Sequence, residues 1–330
     1  MTPPAPSGIA SNESAMSGEA RRARAIAWIK NVHDDVTALF TRLDRGSEFR
    51  EDTWDRAEGG GGHSRVMIDG ATFEKGGVNR SVVYGRLPAL AAAKLGGRGV
   101  SDGESQFFAT GVSLVFHPRS PMIPTVHLNV RYFELSDDDG NLRDAWYGGG
   151  TDITPMHPFP DDVKHFHRTL ASICDRFHPS LHTRFKPWCD EYFRNTHRNN
   201  ETRGCGGIFF DHVRPGEDAS GMDAATTMAF VDAIGRSLTE AYGPIVERRR
   251  DEPYGERERN FQLVRRGRYV EFNLVHDRGT HFGLHTAARI ESVLMSLPPL
   301  AAWPYAPSWE PDTFESELLQ MLAPRDWLAD

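Results

Sequence analysis

The chain has 330 residues, 39% of them hydrophobic and 25% charged, with a net charge of −8. These are values of an ordinary folded protein, and the acidic balance argues against a nucleic-acid-binding protein, whose surface would be basic. Three cysteines, Cys174, Cys189 and Cys205, show no CxxC spacing, and no apolar run reaches signal-peptide or membrane-spanning length, which predicts a cytoplasmic chain without a disulfide framework or zinc knuckle.

Residues 1–18, rich in Pro, Ser, Ala and Gly, are expected to be a disordered lead-in, with 19–330 forming one domain. A helix is predicted over 19–44, where Ala25, Ile29, Val32, Val36, Phe40 and Leu43 keep helical spacing along one face. The glycines at 59–62 read as a flexible loop. Two alternating stretches, 112–117 and 125–133, read as strands, and the prolines between them mark 118–124 as a connection. A turn at 137–141 makes the second strand the start of a hairpin. A helix follows over 160–178, with Pro160 at its first position and Asp161 and Asp162 in its first turn. Its buried stripe is Val163, Phe166, Leu170, Ile173 and Phe177. Further helices are predicted over 187–199 and 223–242, the second ended by Gly243-Pro244. Residues 261–264 and 268–275 read as a hairpin turning at Arg266-Gly267, and a last helix over 288–296 stops at Pro298-Pro299. The sum is an α+β fold, a large, mostly antiparallel sheet covered by helices.

The stretch at 125–133 carries the most chemistry. Side chains alternate along a strand, so His127, Asn129 and Arg131 share one face while Val126, Leu128 and Val130 share the other. Ser113 and His117 likewise stand together on the preceding strand. A solvated sheet face favours Lys, Glu and Thr over His and Asn, so this row predicts a rigidly presented site. His117, His127, His167 and His197 invite a metal, but their spacing matches no zinc signature, and hydrogen-bonded histidines are the default. Gly148, Gly149 and Gly150 permit close backbone approach to something bulky and flat, with Asp152 at the mouth of the gap; a flexible loop with a turn aspartate reads equally well. Residues 203–207 read as a glycine-rich turn feeding a buried strand. The basic run Arg265, Arg266 and Arg268 reads as an exposed hairpin tip more readily than as an anion site. Asp277 and Arg278 suit a ligand bearing both N–H donors and carboxylates, or else form a surface ion pair.

The strings Gly-Gly-Val-Asn at 76–79, Gly-Val-Ser-Leu-Val-Phe-His-Pro at 111–118 and Pro-Thr-Val-His-Leu-Asn-Val-Arg-Tyr-Phe at 124–133 are joined by 146–155, 166–168, 186–193, 203–211, 266–279 and 290–296. In these strings and their order the chain resembles the oxygen-dependent coproporphyrinogen III oxidases, from about Ala20 to the C-terminus. The resemblance implies helices on both faces of the sheet and a homodimer whose contact lies partly in C-terminal strands over 269–304. It implies that Ser113, Asn129, Val130, Arg131, Ala287, Ala288 and Arg289 bind substrate. By the same resemblance His127 is the proton donor, and Asp152, Asp277 and Arg278 take part in catalysis. His117, His127, His167 and His197 match the positions of metal ligands, with manganese the expected ion. The expected reaction is oxidative decarboxylation of two propionates of coproporphyrinogen III to vinyls, with dioxygen as co-substrate and no organic cofactor.

The chain departs from the family pattern at Thr151, Ile153, Met156 and His157, at His212, by one extra residue between His197 and Glu201, and at Ala287 and Ala288. Replacing Asp152 by alanine is expected to reduce turnover far more than stability. The rival readings are a metal-dependent oxygenase or hydrolase built on the four histidines, and a tetrapyrrole carrier without catalysis.

Overall fold

The computed structural model describes residues 17–98, 104–217, 220–285 and 289–329. Most of the expected lead-in therefore lies outside the described residues, although Ser17 already caps the first helix through Ala20 N. That helix, α1 (Gly18–Asp44), buries the stripe expected of it, including Ile29, Val32, Val36 and Phe40. It is followed by β1 (Arg50–Asp55), β2 (Gly60–Ile68), β3 (Phe73–Pro88), the short α2 (Ala89–Lys94), β4 (Glu104–Pro118), β5 (Thr125–Ser136) and β6 (Leu142–Thr154). Helices α3 (Pro160–Asp175) and α4 (Ser180–Tyr192) lead to a small ribbon, β7 (Arg194–Asn195) and β8 (Glu201–Thr202), and then to β9 (Gly206–Val213). The rest is helical: α5 (Ala224–Gly235), α6 (Leu238–Ala241), α7 (Gly243–Arg249), α8 (Glu256–Val275), α9 (Arg278–His285), α10 (Ile290–Leu294) and α11 (Phe314–Met321).

The main sheet has seven strands in the order β1-β2-β3-β4-β5-β6-β9, every neighbour antiparallel. Val112, Leu114 and Phe116 on β4 and Val126, Leu128 and Val130 on β5 are fully buried on one face. There α1 lies across the sheet, with Phe40 stacked on Phe116 at 3.6 Å between ring centres. Helix α5 packs beside it, where Gly235 meets Val32 and Val130. The opposite face is covered by the C-terminal helices. Tyr269 of α8 stands edge-on to His117 at 5.0 Å, Met295 fills the space over Gly77, and Ser292 of α10 bonds Ser64 at 2.7 Å. The α+β expectation holds, with helices on both faces.

The largest correction concerns 256–275. These residues form one helix, not a hairpin. Phe261, Val264, Arg265, Arg268, Tyr269 and Phe272 are all buried at helical spacing. Arginines occupy part of the inward stripe, which hides the period, while 269–275 alternates locally like a strand. Burial is tolerated because each guanidinium finds an anion: Arg265 meets Glu201, Arg266 meets Glu74, and Arg268 meets Glu271. The expected exposed basic tip is therefore interior. Glu258 reaches back to Gly255 N at 2.8 Å and starts this helix. Gly267 is required in its middle, since a Cβ there would lie 2.6 Å from the Ala302 carbonyl. The stretch expected to contain dimer-contact strands, 269–304, contains helices and no strand among the described residues.

Smaller departures follow the same logic. Gly60, Gly61 and Gly62 are strand residues paired to β1 and β3, not a loop. The helix expected over 187–199 begins at Ser180 and ends at Tyr192, with Pro187 inside it at the cost of one backbone rung. The helix expected over 223–242 breaks after Gly235, and Gly243-Pro244 opens α7 instead of closing a helix, Pro being suited to the first turn. The last predicted helix, 288–296, is the shorter Ile290–Leu294.

Candidate active site

Strand register places one polar row across the helix-covered face. His127 pairs with Val115 and Asp152, Asn129 with Ser113 and Gly150, and Arg131 with Gly111 and Gly148. Ser113 pairs in turn with Asn79, whose side-chain oxygen accepts from Ser64. Gly111 and Gly150 place no side chain on this floor, so a flat ligand can lie close to the backbone there, while Met295 covers Gly77 and the Arg131–Asp211 pair lies over Gly148. The alternation read from sequence is thus correct for Ser113, His117, His127, Asn129 and Arg131. Val130 points the other way and is fully buried in the core, so its side chain cannot touch a ligand on this face.

The centre of the row is a buried charge chain. Asp152, 1% exposed, accepts from His127 Nδ1 at 2.9 Å and from Arg203 Nη2, which lies 2.8 Å from both carboxylate oxygens. Burial alone would raise the Asp152 pKa; the Arg203 cation and the His127 hydrogen bond outweigh it and hold the carboxyl below the usual range. Asp152 is therefore not at the mouth of a gap, as the glycine-flanked sequence suggested, but behind His127. With Nδ1 donating to Asp152, the other ring nitrogen of half-buried His127 is the one presented to the face.

Around this centre, Arg131 pairs with the buried Asp211 at 2.6 Å, while its own side chain stays 41% exposed. Burial would raise the Asp211 pKa, but Arg131 brings it below normal. Arg289 sits at the start of α10 and bonds Asp52 of β1 at 2.6 Å. Ala287 and Ala288 lie outside the described residues. Asp277 and Arg278 do not pair with each other. Asp277 takes the Tyr192 hydroxyl at 3.0 Å and the amide and hydroxyl of Thr280, so it caps α9; the Arg278 guanidinium lies over the Tyr192 ring. The turn expected at Asp277 is the junction between two helices rather than the end of a strand.

The four histidines do not form a centre. Among the described residues no group of three or more His, Cys, Asp and Glu side chains could hold a metal ion. His117 is fully buried, with Nε2 on the Ser296 carbonyl at 2.8 Å and Nδ1 on Thr125. Burial, and then Arg266, drive its pKa well below normal. His167 is held by the Cys205 carbonyl, and burial pushes it down to about 3. His197 bonds His276 and Glu271, and His127 bonds Asp152. Each ring has its own partner, so the donor set implied by the resemblance does not fit a metal in this arrangement.

Arg203 and Asp211 were not singled out from sequence. Arg203 precedes a glycine-rich turn and nothing local marks it as buried. A useful signal was the density of aromatic residues at 192–193 and 269–272, which builds its surroundings.

Comparison with known proteins accords with this geometry. Residues 24–327 match the coproporphyrinogen III oxidase family. The oxygen-dependent coproporphyrinogen-III oxidase of Parasynechococcus marenigrum (strain WH8102) is 48% identical over 332 residues, spanning 94% of this chain and 89% of the relative. Proteins of the same description from Synechococcus sp. strains CC9605 and CC9902 are 49% and 48% identical, each over 94% of this chain and 88% of the relative.

Proposed function

The chain belongs to the coproporphyrinogen III oxidase family, and on that basis we propose how its polar sheet face performs the family's reaction. The enzyme carries out the oxygen-dependent oxidative decarboxylation of coproporphyrinogen III in haem biosynthesis. Two propionates become vinyls, giving protoporphyrinogen IX. For each, a β-hydrogen leaves with two electrons to dioxygen, the bond to the carboxyl carbon breaks, and its electron pair becomes the vinyl π bond. Carbon dioxide departs, and the hydroperoxide takes one proton to leave as hydrogen peroxide. The substrate supplies all the electrons.

The observation that carries the residue roles is the His127–Asp152 pair set into a glycine-paved floor. His127 delivers the proton that completes hydrogen peroxide, and Asp152 stabilises the imidazolium and fixes its orientation. Arg131 and Arg289 hold substrate carboxylates, because a guanidinium forks onto a carboxylate. Ser113 and Asn129 line the floor between them. Asp277, through its junction with Tyr192, and Arg278 border the same side. No step requires a metal held by the four histidines.

We also read the enzyme as a cytoplasmic homodimer. Leu274, Val275, Ile290, Leu300, Trp303 and Tyr305 are exposed within one stretch of the chain, as a covered surface would require. All three cysteines are free thiols, and no described helix is long and apolar enough to cross a membrane.

Two results are expected. Oxygen uptake, carbon dioxide and peroxide should each equal the vinyls formed; substrate binding without oxygen uptake would point instead to a carrier. Arg131→Ala should raise KM by about 10- to 100-fold, the loss of a charge-assisted hydrogen bond, with kcat less affected. An unchanged KM in steady-state kinetics would remove Arg131 from carboxylate binding.

A further inference from the structure

We infer that Arg203 is a positioning residue for the reaction: an arginine locked in an aromatic cage that keeps Asp152 charged and turned toward His127. This rests on the reading of His127 as the proton donor. The guanidinium of Arg203 lies 4.1 Å from the centre of the Phe193 ring, 4.5 Å from Tyr269 and 4.9 Å from Phe272. The side chain is 2% exposed. Its polar contacts are Asp152 and Asn273 Oδ1, the latter at 3.0 Å, while Nε meets no acceptor among the described residues.

The chemistry follows from that enclosure. A guanidinium stays charged at any working pH, and aromatic faces stabilise it where water cannot. A desolvated cation with a single carboxylate partner binds that carboxylate strongly and in one orientation. Both Asp152 oxygens are held, and Oδ1 is left facing His127 Nδ1. Phe193 completes the arrangement by touching both ends, since its ring also meets His127 edge-on at 5.8 Å. The other titratable groups near the chain are Tyr269 and Cys189, both kept neutral by burial, His117, whose pKa burial and then Arg266 lower, with Arg203 adding to the shift, and Asp277, whose charge is felt at Arg203. Arg203 thus offsets the charge of Asp152 at His127. Without it, the carboxylate would lose the partner that holds both of its oxygens, and His127 would lose the fixed hydrogen bond that orients it for proton delivery.

The test compares Arg203→Gln, Arg203→Lys and His127→Gln in the full-length enzyme, reading kcat, KM and, at one pH without substrate, the imidazole ¹⁵N signature of the His127 Nδ1–H bond to Asp152. Arg203→Gln should lower kcat by at least tenfold with KM within about threefold, because the lost function is proton delivery and not carboxylate binding. Its Nδ1–H signature should weaken, because Asp152 is no longer held toward the ring. Arg203→Lys keeps the charge and should restore that signature and most of kcat. If Arg203→Gln does not fold, the lysine variant decides: a wild-type Nδ1–H signature supports the assignment, and a lost one overturns it. A folded Arg203→Gln with wild-type kcat and signature also overturns it. Failure of the donor reading looks different, since His127→Gln would then retain turnover whatever the ¹⁵N signatures show.

Discussion

Asp152→Ala should abolish most turnover and also melt on the order of 10 °C earlier than the wild-type enzyme. The second half reverses what residue types alone imply, and depth is the reason. Removing the carboxylate leaves Arg203 as a buried charge without its anion, a change that costs about 3–5 kcal/mol. Asp152→Asn keeps the shape and an acceptor for His127 but loses the charge, so it should fold better than the alanine variant and be comparably inactive. The pH dependence has a definite sign. The Asp152 pKa is depressed in the folded state, so its contribution is fully present above the unfolded carboxyl value of roughly 4 and is lost as pH falls below it. The stability gap between wild type and Asp152→Asn should therefore narrow in acid. Thermal melts at neutral pH and near pH 3 measure this, and an alanine variant as stable as wild type would contradict the buried pair.

His127→Ala should lower kcat by about 10²–10⁴-fold, the range for a positioned proton-transfer group, while leaving the fold intact. The imidazole is only partly buried and its one strong partner, Asp152, keeps Arg203 when the ring is lost. Anaerobic substrate binding should change little, since His127 does not hold a carboxylate. A variant that turns over within a few-fold of wild type would place proton delivery elsewhere.

The site was legible where local periodicity governs. Alternation along β5 separates His127, Asn129 and Arg131 from Val126, Leu128 and Val130, and the structure keeps that division. The helical stripes of α1 and α3 were equally plain, because apolar residues fill them. Legibility failed where long-range pairing replaces apolarity. Helix α8 buries Arg265, Arg266 and Arg268 against Glu201, Glu74 and Glu271, partners 64, 192 and 3 residues away in sequence. No window over 256–275 contains the first two anions, so the inward stripe looked polar. The same limit applies to Arg203, whose carboxylate lies on β6 and whose cage comes from 193 and α8. The four histidines are a different case: their spacing matches no zinc signature, and the hydrogen-bonded state that residue types favour is what the fold shows, with His117 and His167 each taken up by a backbone carbonyl.

Departures from the family pattern also acquire a physical setting. His212 stacks on Trp146 at 5.2 Å and bonds the Leu95 carbonyl, tying α2 to the sheet beside Asp211. His157 stacks between Phe159 and Phe314, away from the polar row. Thr151 and Ile153 face the core side of β6, so these changes leave the floor around Asp152 intact.

The most direct measurement is to load the enzyme with coproporphyrinogen III without oxygen, after exhaustive treatment with a metal chelator, and then admit air while products are resolved by chromatography. Protoporphyrinogen IX should form only once air enters, and at the same rate as in untreated enzyme. Loss of product after chelation, restored by manganese or another divalent ion, would contradict a reaction carried by His127, Asp152 and the substrate's own electrons.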